Sequence, residues 1–169
     1  MRKCKDTLTS LQLNDCEEID LSPLKNSKAL THLAIENCSQ ANMEVISTFQ
    51  NLQELVTDNQ YLLQRAITMK SLKSLILHEI YSQFPPSLQC INFKLAIDTA
   101  WIKRILDNHP QIKEVTLIIP SNRHHVALLL KEYKNVKFNF TKNFSMDQTT
   151  TFEYDFQLLF SQEQQELDQ

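Results

Sequence analysis

Five histidines (His32, His78, His109, His124 and His125) and four cysteines (Cys4, Cys16, Cys38 and Cys90) are the residues able to bind a metal or act as bases or nucleophiles. Metal chemistry needs ligands that converge, and sequences achieve this by spacing: two histidines four apart on a helix, or two cysteines three apart in a turn. Neither spacing is present, and the adjacent His124 and His125 cannot share one helix face. These histidines read as solvated or edge residues. No serine or cysteine stands in a nucleophile signature, and an acidic pair such as Glu17-Glu18 reads as a solvated loop. Glycine is absent, although Walker and dinucleotide loops need it to bring backbone close to phosphate. The expectation is a chain that is not an enzyme, with no cofactor, no metal and no small-molecule substrate.

The charge balance narrows the partners. The formal net charge is −3, without the basic excess of a general nucleic-acid binder. Apolar runs such as "VALLL" are far too short to span a bilayer, and no apolar run follows the early basic residues as in a signal peptide. An intracellular protein is expected, with its cysteines as free thiols. Its left-handed turns then fall to asparagine and aspartate.

What would position any functional residue is a repeat. "LTSLQLNDC" starts at Leu8 and "LTHLAIENC" at Leu30. "LQELVTDNQ" follows at Leu52, "LKSLILHEI" at Leu72, "LQCINFKLA" at Leu88, "IKEVTLIIP" at Ile112 and a weaker "YKNVKFNFT" at Tyr133. The starts are 22, 22, 20, 16, 24 and 21 residues apart. Places four and six of each copy lie on one face of a short strand, with place five on the other. Places one and nine turn the chain into and out of that strand, so all four point into one core when copies stack. Most steps are too short for the crossovers of an ordinary α/β domain.

The spacing LxxLxLxxN/C resembles the leucine-rich repeat family over about Leu8 to Thr141, in its cysteine-containing subtype. The first two copies carry the ninth-place cysteines Cys16 and Cys38, which should stack in the core. Gln60, Ile80, Ala96, Pro120 and Thr141 hold that place later. The resemblance implies an α/β solenoid with about seven short parallel strands on the concave side and helical or irregular returns on the convex side. It is also similar to the repeats of F-box proteins, which present substrates to ubiquitin ligases. That similarity is one of repeat subtype only, because no F-box segment precedes Leu8.

The returns differ in kind. Asp98 is placed to cap a helix with Trp101, Ile102, Ile105 and Leu106 on one face. Ser121 is placed to cap another, striped by Val126, Leu129, Leu130 and Tyr133, and Met43, Ile46 and Phe49 form a third stripe. "YSQFPPS" is too short for a helix and its prolines enforce an extended crossing. The repeat domain is expected over residues 1–141. Residues 142–169 hold one lysine against six acids, a local charge of −5 that leaves +2 elsewhere, and alternate apolar residues from Phe152 to Phe160. They are expected as an acidic C-terminal cap or tail. Met1 to Thr7 is short for a cap, suggesting a fragment or an end covered by a partner.

The repeat leaves places three, five and seven facing outward. The fifth places include an apolar stripe, Ala34, Val56 and Ile76. Glu36, Glu54 and Asp58 flank it at one end and Lys94 lies towards the other, with His78 outward at a seventh place among the candidate contact residues. An apolar centre with a charged rim has the anatomy of a protein-binding patch. The expected function is a non-catalytic protein-interaction module, a scaffold or adaptor subunit or fragment in a larger intracellular assembly. Alternatives are a nucleic-acid-associated subunit using Lys131, Lys134, Lys137 and Lys142, or the substrate-recognition part of a ubiquitin ligase.

Overall fold

A computed structural model describes residues 5–17, 19–38, 42–118 and 123–141. Seven strands appear at the repeat's inward-outward-inward triplets: β1 Ser10–Asn14, β2 His32–Glu36, β3 Glu54–Thr57, β4 Ser74–Leu77, β5 Cys90–Phe93, β6 Glu114–Ile118 and β7 Lys137–Thr141. They form one sheet in chain order, and every neighbouring pair is parallel. This is a leucine-rich-repeat-like solenoid.

Alternation places the core. Leu33, Ile35, Leu55, Leu75, Leu77, Ile91, Phe93, Val115 and Leu117 are each at most 1 % exposed, as their fourth and sixth places require. The one polar sixth-place residue, Thr57, is fully buried, and its hydroxyl oxygen accepts from the Asn59 N–H at 3.0 Å. Its polar atom is therefore satisfied inside the core.

Two backbone devices repeat at the copy junctions. The carbonyl at place two accepts two successive N–H groups of the next copy, as Thr9 does from Thr31 and His32 and Lys73 from Gln89 and Cys90. The residue before place one bonds a carbonyl of the preceding copy: Asn51 to Lys28 at 2.8 Å, Ser71 to Leu52 and Ser87 to Leu72 at 2.7 Å. Both devices satisfy backbone groups where the chain enters a strand, outside the regular ladder.

The returns follow local chemistry. Asn59 caps α1, Gln60–Ala66, by accepting from Tyr61 and Leu62, an element the spacing left unassigned. Asp98 caps α2, Thr99–Asn108, through the Ala100 N–H, and Ile102, Ile105 and Leu106 are buried beneath it. In α3, Arg123–Glu132, Val126 and Leu129 are buried. The Met43–Thr48 return is a 3₁₀ turn that buries Ile46, with Phe49 buried just beyond its end. Between β4 and β5 there is no helix, and the crossing through Pro85-Pro86 is irregular, as the prolines demand.

Two expectations change. The last copy is displaced by two residues: Glu114 pairs with Lys137 and Val115 with Phe138. The step is therefore 23 residues, and Phe138 and Phe140, rather than Val136 and Phe138, take places four and six. A two-residue slip keeps the strand's parity, and Tyr133 to Val136 forms a turn closed by the Val136 N–H to the Tyr133 carbonyl. The ninth place is also inward only at the start. Cys38 is 4 % exposed, whereas Ile80 is 44 % exposed and Gln60 and Ala96 are exposed too. The cause is the eighth residue. Asp15 and Asn37 are left-handed, with φ of 54° and 55°, which turns the chain back towards the core. Asn59, at the same place in the third copy, is extended instead. All three left-handed residues described are Asn or Asp, as a chain without glycine requires.

Ser121, Pro120, Cys4, Glu18, Lys142 and the cap or tail expected at 142–169 lie outside the described residues, as do the side chains of Met43 and His124.

Candidate functional site

The strand register turns the outward places into three rows across the sheet. In the fifth-place row Gln12 stands beside Ala34, Ala34 beside Val56, Val56 beside Ile76 and Ile76 beside Asn92. Ala34, Val56 and Ile76 are half-buried, so the apolar stripe exists and stays accessible. It is three strands wide, ending at Gln12 on one side and Asn92 on the other. The Asn92 Oδ1 is shielded and has no hydrogen-bond partner among the described residues. Asn92 is the residue that pattern reading passed over. Its signal was an amide at an outward strand centre next to Ile76.

The third-place row runs His32, Glu54, Ser74, Cys90, Glu114 and Lys137. Glu54 is half-buried, and its carboxylate makes no hydrogen bond or ion pair among the described residues. Glu114 accepts from the Asn139 side-chain amide at 2.6 Å and pairs with Lys137 at 3.4 Å. Burial pushes the Cys90 thiol above its ordinary pKa, and the Glu114 and Glu54 carboxylates add to the rise. Burial does the same to Cys38. Both thus remain thiols at neutral pH, the less nucleophilic form.

The seventh-place row overturns the expected rim. Glu36 is not exposed at one end with Lys94 at the other: it is 4 % exposed and meets Lys94 directly. Its Oε1 lies 2.8 Å from Lys94 Nζ and 2.5 Å from His78 Nε2. The lysine contact is a hydrogen bond, while the histidine contact is a close approach off the hydrogen-bonding line. Pattern reading missed this because it treats each outward side chain as perpendicular to the sheet, whereas Glu and Lys can lie along it. Burial is the largest single influence on the Glu36 carboxyl and pushes its pKa up. The Lys94 hydrogen bond and the charges of Lys94 and His78 together outweigh it and hold the group below the usual carboxylate range.

Asp58 is engaged as well. Its Oδ2 accepts the Asn37 N–H at 2.8 Å, and the Asn37 side-chain amide donates to Asp15 at 3.1 Å. Asp15, Asn37 and Asp58 thus link the first three copies along one edge. The structure brings Glu36, His78 and Lys94 together, sets Ala34, Val56 and Ile76 side by side, and leaves Glu54 on the opposite margin.

The remaining histidines stay apart. His32 is exposed, with its Nδ1 2.8 Å from the Thr31 hydroxyl. His109 meets Phe84 edge-on at 5.3 Å between ring centroids, and His125 is exposed on α3. Among the described residues no group of three or more His, Cys, Asp or Glu side chains is placed to hold a metal ion. Cys16, Cys38 and Cys90 are free cysteines. No helix among the described residues is long and apolar enough to cross a membrane.

What the fold and this face define is a class: a parallel-sheet solenoid of leucine-rich-repeat-like arrangement, presenting an apolar stripe between two polar rows. No protein-family model matches the chain, and no curated protein matches it.

Proposed function

We propose that the chain is a divergent leucine-rich repeat module without catalytic function, a scaffold or adaptor subunit of a larger intracellular assembly that docks a protein on its concave sheet face. One observation carries this reading. Ala34, Val56 and Ile76 form a contiguous half-exposed row, while the large side chains at places four and six of these strands are buried. The core of a protein interface is depleted in charged residues, and this row carries none, with polar residues bordering it. The charges beside the row support the reading too. Glu36 and Lys94 already neutralise one another, so a partner covering them does not strand an unpaired charge. Docking would then use the fifth- and third-place rows, with Glu54 as the acidic margin.

The nucleic-acid reading has less support. Lys137 pairs with Glu114, and on the convex side Lys103 pairs with Glu132. Neither lysine is held ready for phosphate. No feature described favours ubiquitin-ligase recruitment over other protein partners.

The test is quantitative capture from lysate by the native chain and by Val56→Asp/Ile76→Asp. Both side chains point away from the core, so circular dichroism should show an intact fold. Loss of the same prey proteins by at least tenfold is expected, because carboxylates would be desolvated at the contact. Equal capture by the folded variant moves docking off the concave face.

A further inference from the structure

We propose that the open edge of β1 binds the β1 of a second copy of this chain, antiparallel and about a two-fold axis through Gln12. β1 is the first strand of the sheet, and among the described residues nothing pairs with its outer edge. The opening shows in its apolar residues. Leu11 and Leu13 are half-buried, whereas Leu33 and Ile35, at the same places of β2, are at most 1 % exposed. Leu8, Cys16 and Ile19 around them are half-buried too. Sheet edges are ordinarily guarded by lysine, proline or a bulge. β7, at the other end, begins with Lys137, but β1 reads SLQLN, with neither charge nor proline, in unbroken register with β2.

The backbone sets which groups are free. The His32 N–H donates to the Thr9 carbonyl and the Asp15 N–H to the Glu36 carbonyl, both at 3.1 Å. His32, Ala34 and Glu36 thus turn their peptide groups towards β1, and Leu11 and Leu13 turn theirs towards β2. Ser10, Gln12 and Asn14, at the same places one copy earlier, turn theirs to the open edge. Antiparallel pairing about Gln12 sets Gln12 against Gln12, and Ser10 against Asn14 of the second copy. These pairings join edge-facing residues, so each exchanges two backbone bonds. The same register matches the cores, because places one, four, six and nine are symmetric about place five. Leu11 faces Leu13 of the second copy, and Leu8 faces its Cys16. A slip of two residues keeps the parity but sets Leu13 against Thr9, or Leu11 against Asp15. The Asn14 Oδ1, shielded and without a hydrogen-bond partner among the described residues, gains the Ser10 hydroxyl opposite as a donor.

The charges agree with a second copy as the occupant. Arg2, Lys3 and Lys5 precede β1 with one acid, Asp6, whereas Asp15, Glu17 and Asp20 follow it. Antiparallel pairing brings the basic side of each copy to the acidic side of the other. A two-fold contact also closes after two copies. It joins the two sheets into one, with both concave faces on the same side. The pairing stands independently of the docking reading; only the doubled docking row that it creates rests on that reading.

The experiment uses the chain alone, so its outcome is separate from any loss of docking. Sedimentation equilibrium across a dilution series is expected to give twice 19.8 kDa at the concentrated end, falling to one copy on dilution. Gln12→Pro removes an N–H that faces the edge and not β2, so circular dichroism should show the fold kept. Its dimer is expected to weaken by roughly tenfold or more. Oxidative cross-linking reads the register. Gln12→Cys places two thiols on the axis with Cα atoms about 5.5 Å apart, within disulfide reach. It is expected to form a covalent dimer far faster than the native chain or Ala34→Cys, which lies one strand back from the axis. A single-copy mass throughout overturns the proposal. So does an undiminished dimer of folded Gln12→Pro, or a mass that climbs beyond two copies, as head-to-tail stacking of β7 on β1 would give. Cross-linking of Ala34→Cys as fast as Gln12→Cys overturns it as well, and that comparison decides alone if Gln12→Pro does not fold.

Discussion

At the scale of single residues, Glu36 shows how a position on the outward face of a strand can end up inside the molecule. Its carboxyl is held below the usual range, so it contributes stability that is complete above about pH 4.5, its ordinary value. That contribution disappears as the pH falls through the lowered folded pKa. Urea denaturation between pH 7 and pH 3 should show the native chain losing stability below that point more steeply than Glu36→Gln. Parallel profiles would mean that the pair adds nothing. Asn37 supplies a second residue-scale expectation. Its φ of 55° suits glycine but not alanine. Asn37→Ala should cost about 1–2 kcal/mol, and Asn37→Gly should recover most of it. Equal losses in thermal unfolding would point to its side-chain bond with Asp15 instead.

At the scale of elements, spacing determined most of what is seen. Mostly apolar residues at places one, four and six placed six strands to within a residue, because alternation and burial are enforced wherever copies stack. Leu75→Ala should therefore cost about 2–5 kcal/mol in denaturant unfolding, since Leu75 is 1 % exposed between β3 and β5. Ile80→Ser, at a place the pattern marks as inward, should change stability by no more than about 0.5 kcal/mol, since Ile80 is 44 % exposed. A large loss for Ile80→Ser would restore the ninth place to the core. What spacing could not reveal lay outside its rules. In β7 two registers of the same parity were open, and the choice depended on the turn from Tyr133 to Val136. The short helix α1 depended on the single cap Asn59. Of the candidate site, the row of Ala34, Val56 and Ile76 was legible because strand pairing is regular. The meeting of Glu36 with Lys94 was not, because 58 residues separate them and no local pattern connects them.

At the scale of the whole molecule, the chain is a stack in which each copy rests on its neighbours. Partners along the sheet are 16 to 24 residues apart in sequence. Against that, the Glu36–Lys94 contact reaches across 58 residues. This difference has a kinetic side. Contacts between adjacent copies close short loops and can spread from any point of the stack, whereas a contact spanning four copies has to wait until those between are in place. It then belongs to the descent from the transition state rather than to the climb. Lys94→Met should speed unfolding while leaving the folding limb of a chevron nearly unchanged. A slowed folding limb would place Glu36 and Lys94 in the nucleus. With the expected result, the pair sets how long a finished stack persists and has little say in how fast it assembles.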